Sequence, residues 1–151
     1  MARQLELDVS YAARRPWVPS PRQLSRWAAA ALASTRQSAV LSVRVVGKAR
    51  SRSLNAHYRH KDRPTNVLSF SGAGRAPDGR YFLGELVICA AVVAHEAAAF
   101  GKTLESRWAH MTVHGVLHLQ GFDHEIAAEA AIMAVREIQI LDRLGFSDPY
   151  R

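Results

Sequence analysis

A chain of 151 residues, 48% hydrophobic and 22% charged, is bounded to one folded domain, residues 1–151, with a core of its own. One cysteine excludes an internal disulfide. The longest apolar run, residues 87–94, is too short for a bilayer, and the segment Met1-Ala2-Arg3-Gln4-Leu5-Glu6 has no signal-peptide core, so a cytoplasmic protein without a membrane partner is expected. The net charge of +7, from 20 Lys+Arg against 13 Asp+Glu, favours a polyanionic partner, nucleic acid or an anionic surface, though alone it is a weak pointer.

Residues 5–9 alternate and predict a strand. Ser20 as N-cap with Pro21 at the first helical position predicts a helix to about Ser34. Residues 39–46 are rich in β-formers and are closed by Gly47. Residues 49–60 have helical spacing, with Leu54 and Tyr58 on one face. Pro64 and Thr65 then precede a short strand at 67–70, and the glycines and proline of 71–80 predict a surface loop. Residues 81–90 form a further strand, buried on both faces at its end, with Cys89 as a small buried residue. Helices follow at 91–100, 106–119 and about 125–144, with Gly101 and Gly145 as stops. In the last helix the expected buried stripe is Ile132, Val135, Ile138 and Leu141. The expected fold class is α+β: a small mixed sheet of about four strands packed with helices, one of them a zincin-like metal helix, in a single domain.

Chemistry concentrates in His114-Gly115-Val116-Leu117-His118-Leu119-Gln120-Gly121-Phe122-Asp123-His124. His114 and His118 are four apart and project from one helix face. Gly121 can adopt positive φ and turn the chain back, which brings His124 toward them. Three imidazoles with a fourth position open are the donor set of a catalytic zinc, one Zn2+ per chain, which activates water. Nickel, copper or iron also accept such ligands. The spacing parallels the metzincin pattern, but Gly115 stands where a protease places its general base. Glycine there is expected to leave open space beside the metal for a large anionic substrate. His110, one turn earlier, is a fourth ligand, a support for a ligand or a plain partner; the supporting role is favoured because His124 already completes an open set. Asp123 orients a ligand histidine, assists proton transfer or caps the turn after Gly121. His57, His60 and His95 lack metal spacing and are expected to be exposed or locally satisfied.

Two further segments extend the pattern. One runs Ser53-Leu54-Asn55-Ala56-His57-Tyr58-Arg59-His60-Lys61-Asp62-Arg63-Pro64-Thr65-Asn66-Val67-Leu68-Ser69-Phe70; the other is Leu83-Gly84-Glu85-Leu86-Val87-Ile88. With the histidine run and the closing Gly145-Phe146-Ser147-Asp148-Pro149-Tyr150, they make a chain that, from about Leu5 to Tyr150, resembles the bacterial YbeY family of metal-dependent endoribonucleases. The resemblance implies zinc on His114, His118 and His124, with Arg59 facing the metal across a cleft. It implies single-stranded RNA as substrate, chiefly precursor small-subunit ribosomal RNA, and partners in the small ribosomal subunit or its assembly factors. Glu85 stands where the family often has Asp, and Ser71 where a Pro commonly follows the Phe; neither is a presumed ligand. The catalytic set expected is therefore Arg59, His114 and Asp123. Arg59 either binds the scissile phosphate or pairs with Asp62 or another acid. Tyr58, Phe70 and Phe82 either stack on unpaired bases or belong to the core. The rival functions are a zinc peptidase or amidase, with Glu85 or Glu96 as base, and a non-catalytic RNA-binding assembly factor with structural zinc.

Overall fold

A computed structural model describes residues 4–33, 38–122 and 125–151. The strands are β1 (Gln4–Tyr11), β2 (Ser38–Val46), β3 (Val67–Arg75) and β4 (Tyr81–Cys89). The helices are α1 (Pro21–Ala30), α2 (Lys48–Arg59), α3 (Ala90–Ala99), α4 (Leu104–Leu119) and α5 (Ala127–Arg143). The sheet order is β1-β2-β4-β3, with β1, β2 and β4 parallel and β3 antiparallel to β4. This is the expected mixed α+β sheet.

Local chemistry sets the helix starts. Ser20 Oγ accepts from the Gln23 amide at 3.2 Å while Gln23 Oε1 accepts from the Ser20 amide at 2.9 Å, a reciprocal capping box behind Pro21. Thr103 caps α4 through the Ser106 amide at 3.1 Å, so α4 begins at Leu104, two residues before the expected start. α1 ends at Ala30, short of the expected end near Ser34: Ala31 is its C-cap, with its amide turned back to the Ala28 carbonyl at 3.1 Å, and residues 32–33 are no longer helical.

Alternation along the strands builds the core. Ala39, Leu41, Val43 and Val45 of β2 and Leu86 and Ile88 of β4 face α1, α4 and α5, where Trp27, Trp108, Val113, Leu117 and Leu141 are buried. Val87 and Cys89 turn to the opposite face and meet Leu68 in a smaller cluster near Leu54 and Phe70. The end of β4 is thus buried on both faces, as its unbroken apolar run predicts. Among the described residues, no helix is long and apolar enough to cross a membrane.

Two further expectations fail. Residues 71–75 are strand rather than loop: β3 pairs with β4 out to Arg75 opposite Tyr81, with a bulge between Ser71 and Gly74 that absorbs the glycines. In α5, Ile132 and Val135 are 61% and 55% exposed, while Met133, Glu137, Ile140 and Leu141 are buried. The helix is rotated about one residue from the expected stripe, because it turns a carboxylate inward.

Candidate active site

The last turns of α4 carry His114 and His118 into a cleft of about 520 Å³. The facing wall is the end of α2 and the segment leading into β3. That wall is held firmly. Ser51 Oγ donates to the Thr65 carbonyl at 3.0 Å and accepts from its amide at 2.9 Å, and Asn55 Nδ2 donates to the Arg63 carbonyl at 2.8 Å. Among the described residues, Arg59, Lys61 and Arg63 line the cleft against one acid, Glu125, which gives this wall a positive field. Asp62 does not neutralise Arg59: its carboxylate is taken by Arg52, in two hydrogen bonds of 2.7 and 3.0 Å. Arg59 instead donates to the Ser69 carbonyl at 3.4 Å, an elongated contact on an exposed side chain.

Gly115 does not leave open space. A Cβ built there would lie 2.7 Å from Leu86 Cδ2, and Leu86 is fully buried. The missing side chain lets α4 settle against β4, which fixes the depth at which His114 and His118 emerge.

Behind His114 lies a residue the sequence reading did not select. Glu137 of α5 is 1% exposed and accepts three donors. His114 Nδ1 lies 2.8 Å and His110 Nε2 3.2 Å from its Oε2, and the Tyr150 hydroxyl donates to its Oε1. Burial alone would raise the Glu137 carboxyl; the hydrogen bonds from His110 and His114 outweigh burial and hold it at about 2, below the ordinary 4.5. Arg107 extends the network, meeting His110 Nδ1 at 3.1 Å and Glu96 Oε1 at 3.0 Å, and Asn66 Nδ2 donates to Glu96 at 3.1 Å. Arg107 can only donate, so His110 Nδ1 accepts and its Nε2–H faces Glu137. By the same logic a carboxylate on His114 Nδ1 fixes that proton and makes Nε2 the basic nitrogen, as in carboxylate–histidine–metal arrangements.

His110, His114 and Glu137 are a group of metal-capable atoms, all within 4.8 Å of one another. Arg59, His114 and His118 share the cleft. Asp123 and His124 lie outside the described residues. His57, His60 and His95 are exposed, as their spacing suggested. Glu85 and Ser71 line a different groove, where Glu85 pairs with Arg44 at 2.8 Å. Tyr58 is 54% exposed and edge-on to Phe70, 5.0 Å between centroids, so it does not belong to the core.

A family model described as Endoribonuclease YbeY matches residues 18–145. The chain belongs to the YbeY endoribonuclease family. An Endoribonuclease YbeY of Laribacter hongkongensis (strain HLHK9) is 45% identical over 150 residues, covering 98% of this chain and 90% of that one. The solution structure of TM1509 from Thermotoga maritima shares the fold, with a TM-score of 0.53 at 20% identity over 98% of this chain and 99% of that one. Membership in the YbeY family makes this chain a nuclease, a hydrolase. The YbeY frame sets a His/His/Glu group, buried at His110 and Glu137 and half-buried at His114, beside a basic cleft, the two meeting at His114.

Proposed function

We propose that residues 1–151 form one cytoplasmic catalytic domain, a single-strand-specific, zinc-dependent endoribonuclease. It matures small-subunit ribosomal RNA and acts in ribosome quality control, with precursor small-subunit RNA, the small subunit and its assembly factors as partners. The observation that carries this reading is His114. Its ring lines a cleft with Arg59, Lys61 and Arg63 while its Nδ1 is held at 2.8 Å by a buried carboxylate.

His114, His118 and His124 hold the metal in this proposal, and Glu137 orients rather than ligates. The Nδ1–Oε2 separation of 2.8 Å is a hydrogen-bond distance, whereas two ligands of a tetrahedral zinc stand about 3.3 Å apart. His110 is engaged on both nitrogens, by Arg107 and Glu137, which supports a holding role over that of a fourth ligand. Bound zinc supplies Lewis acidity, which activates water near neutral pH. Arg59 binds the scissile phosphate and stabilises charge developing on its oxygens, and Asp123 orients His124 or moves a proton. The peptidase alternative loses its bases, because Glu85 is paired with Arg44 and Glu96 with Arg107 and Asn66.

Purified wild type, His114→Ala and Arg59→Glu are compared on single-stranded RNA, duplex RNA and casein. Wild type is expected to cut only the single strand. His114→Ala falls to background, and Arg59→Glu loses at least ~10²-fold in rate, the scale of removing one charge-stabilising donor. Casein cleavage with RNA untouched would end the nuclease reading. Undiminished cleavage by His114→Ala would remove the metal from it.

Affinity for an uncleaved single strand should also fall with salt. Three phosphate contacts, one for each of Arg59, Lys61 and Arg63, give a log–log slope of about −2, or about 20-fold between 50 and 200 mM. A flat binding isotherm series over that range removes the basic cleft from the RNA path.

A further inference from the structure

His114 and Asn66 border not one depression but two. On the side away from Arg59 they open into a second hollow of about 410 Å³, whose other walls include Phe100, Arg107, Met111 and Tyr150. Its size is that of a small-molecule site, and its character is opposite to that of the basic cleft. Phe100 and Tyr150 are 57% and 55% exposed, large aromatic surface that a chain of this size has reason to bury.

Neither ring is loose. The Tyr150 hydroxyl is bound by Glu137 and its ring packs edge-on to His110, 5.4 Å between centroids, which leaves the rest of the ring to solvent. The Arg107 guanidinium lies 5.1 Å from the Phe100 centroid. The charge in the hollow is already matched: Arg107 pairs with Glu96 at 3.0 Å, so the hollow does not suit a second phosphate. Its polar edge is occupied as well. Asn66 Nδ2 faces Glu96, and Asn66 Oδ1 accepts from the Val67 amide at 2.6 Å.

We propose that this hollow receives one unpaired nucleobase of the RNA, adjacent to the phosphate at His114, stacked on Phe100 and Tyr150 without its edge being read. The inference rests on the endoribonuclease reading, and it adds a subsite and a selectivity. The strand crosses His114 from a phosphate-binding side to a base-binding side. Any base is accepted there, because every base has a stackable face, but a missing base or a paired one is not. Preference for a single strand then has a physical source on this side of the site.

A single-stranded oligonucleotide cleaved at one position is remade with an abasic nucleotide at each flanking position in turn. With wild type, one abasic position is expected to raise KM about 10-fold, while exchanging the four bases there changes it less than about 3-fold. Phe100→Ala, a change at an exposed helix end, should raise KM for the intact strand similarly and become indifferent to the abasic site. Phe100→Trp should restore the sensitivity. Placing 2-aminopurine at that position should give fluorescence quenching on binding to wild type and to Phe100→Trp, and not to Phe100→Ala. If wild type cuts RNA but no abasic position matters, or if Phe100→Ala keeps the full sensitivity, the subsite is refuted while the nuclease stands. If wild type cuts no RNA, the proposed function falls, and this subsite with it.

Discussion

Glu137→Ala is expected to destabilise the metal-free chain by about 3–5 kcal/mol and to weaken metal binding about 10–100-fold. The stability loss follows from what remains. Glu137 is 1% exposed, and its removal leaves the His110 Nε2, the His114 Nδ1 and the Tyr150 hydroxyl facing a void with no acceptor. The metal effect follows from tautomer and aim, since the carboxylate holds the proton on Nδ1 and keeps Nε2 basic. Glu137→Gln separates the two. It preserves volume but places an amide where Oε2 or Oε1 met a donor, so stability is partly recovered and ring alignment is not. In the metal-free protein the hydrogen bonds hold the carboxyl at about 2, against an ordinary 4.5 in the unfolded chain. Its contribution is therefore in place above about pH 4.5 and is lost as pH falls toward 2. Glu137→Gln should flatten that acid limb in urea titrations. Equal stability and equal metal affinity in Glu137→Ala and wild type would show that the contact is incidental.

That residue also marks the limit of what sequence periodicity reveals here. The elements with local causes were legible: the Ser20–Gln23 box with Pro21, the alternation of β2, the apolar end of β4, and the pair His114 and His118 on one helix face. The determinants of α5 are not local. Glu137 is 27 residues from His110, 23 from His114 and 13 from Tyr150, and only their convergence makes a buried carboxylate favourable. A pattern that assigns every charge to solvent therefore turns the helix the wrong way. A usable signal was present. Met133, Glu137, Ile140, Leu141 and Leu144 fall at i, i+4, i+7, i+8 and i+11, a clean stripe with one acid in it, and a histidine row needs an acid somewhere. Gly115 is ambiguous for a related reason: from sequence a missing side chain is equally open space or close contact, and only the position of Leu86 decides. The cleft's basic wall fared better, since Arg59, Lys61 and Arg63 are near neighbours in the chain; Arg52 taking Asp62 is what leaves Arg59 to the cleft.

The largest purely structural effect is expected from Gly84→Ala, at about 4 kcal/mol or more. β4 is an interior strand, between β2 and β3, and Gly84 sits where both its neighbours shift register. Its φ is +148°, a conformation L side chains rarely adopt, and an added Cβ would lie 2.3 Å from the Phe70 carbonyl oxygen and 2.9 Å from Leu119 Cδ2. Backbone strain and overpacking each cost about 1–3 kcal/mol, and the nearest obstacle is backbone of the paired strand, which cannot step aside as a side chain can. Gly47→Ala is the matched control: an added Cβ meets nothing within 4 Å there, so only a lost N-cap preference remains, within about 1 kcal/mol. Urea unfolding of the two variants beside wild type makes the comparison, and a Gly84→Ala midpoint no lower than that of Gly47→Ala would mean that the β3–β4 register is wrong. The consequence reaches the site through two contacts. Leu86, two residues on, is the side chain that Gly115 accommodates, and Leu119 closes the helix that carries His114 and His118. A strand forced away from Phe70 pushes on both, so the folded remainder of Gly84→Ala should bind metal more weakly than wild type even below its unfolding transition.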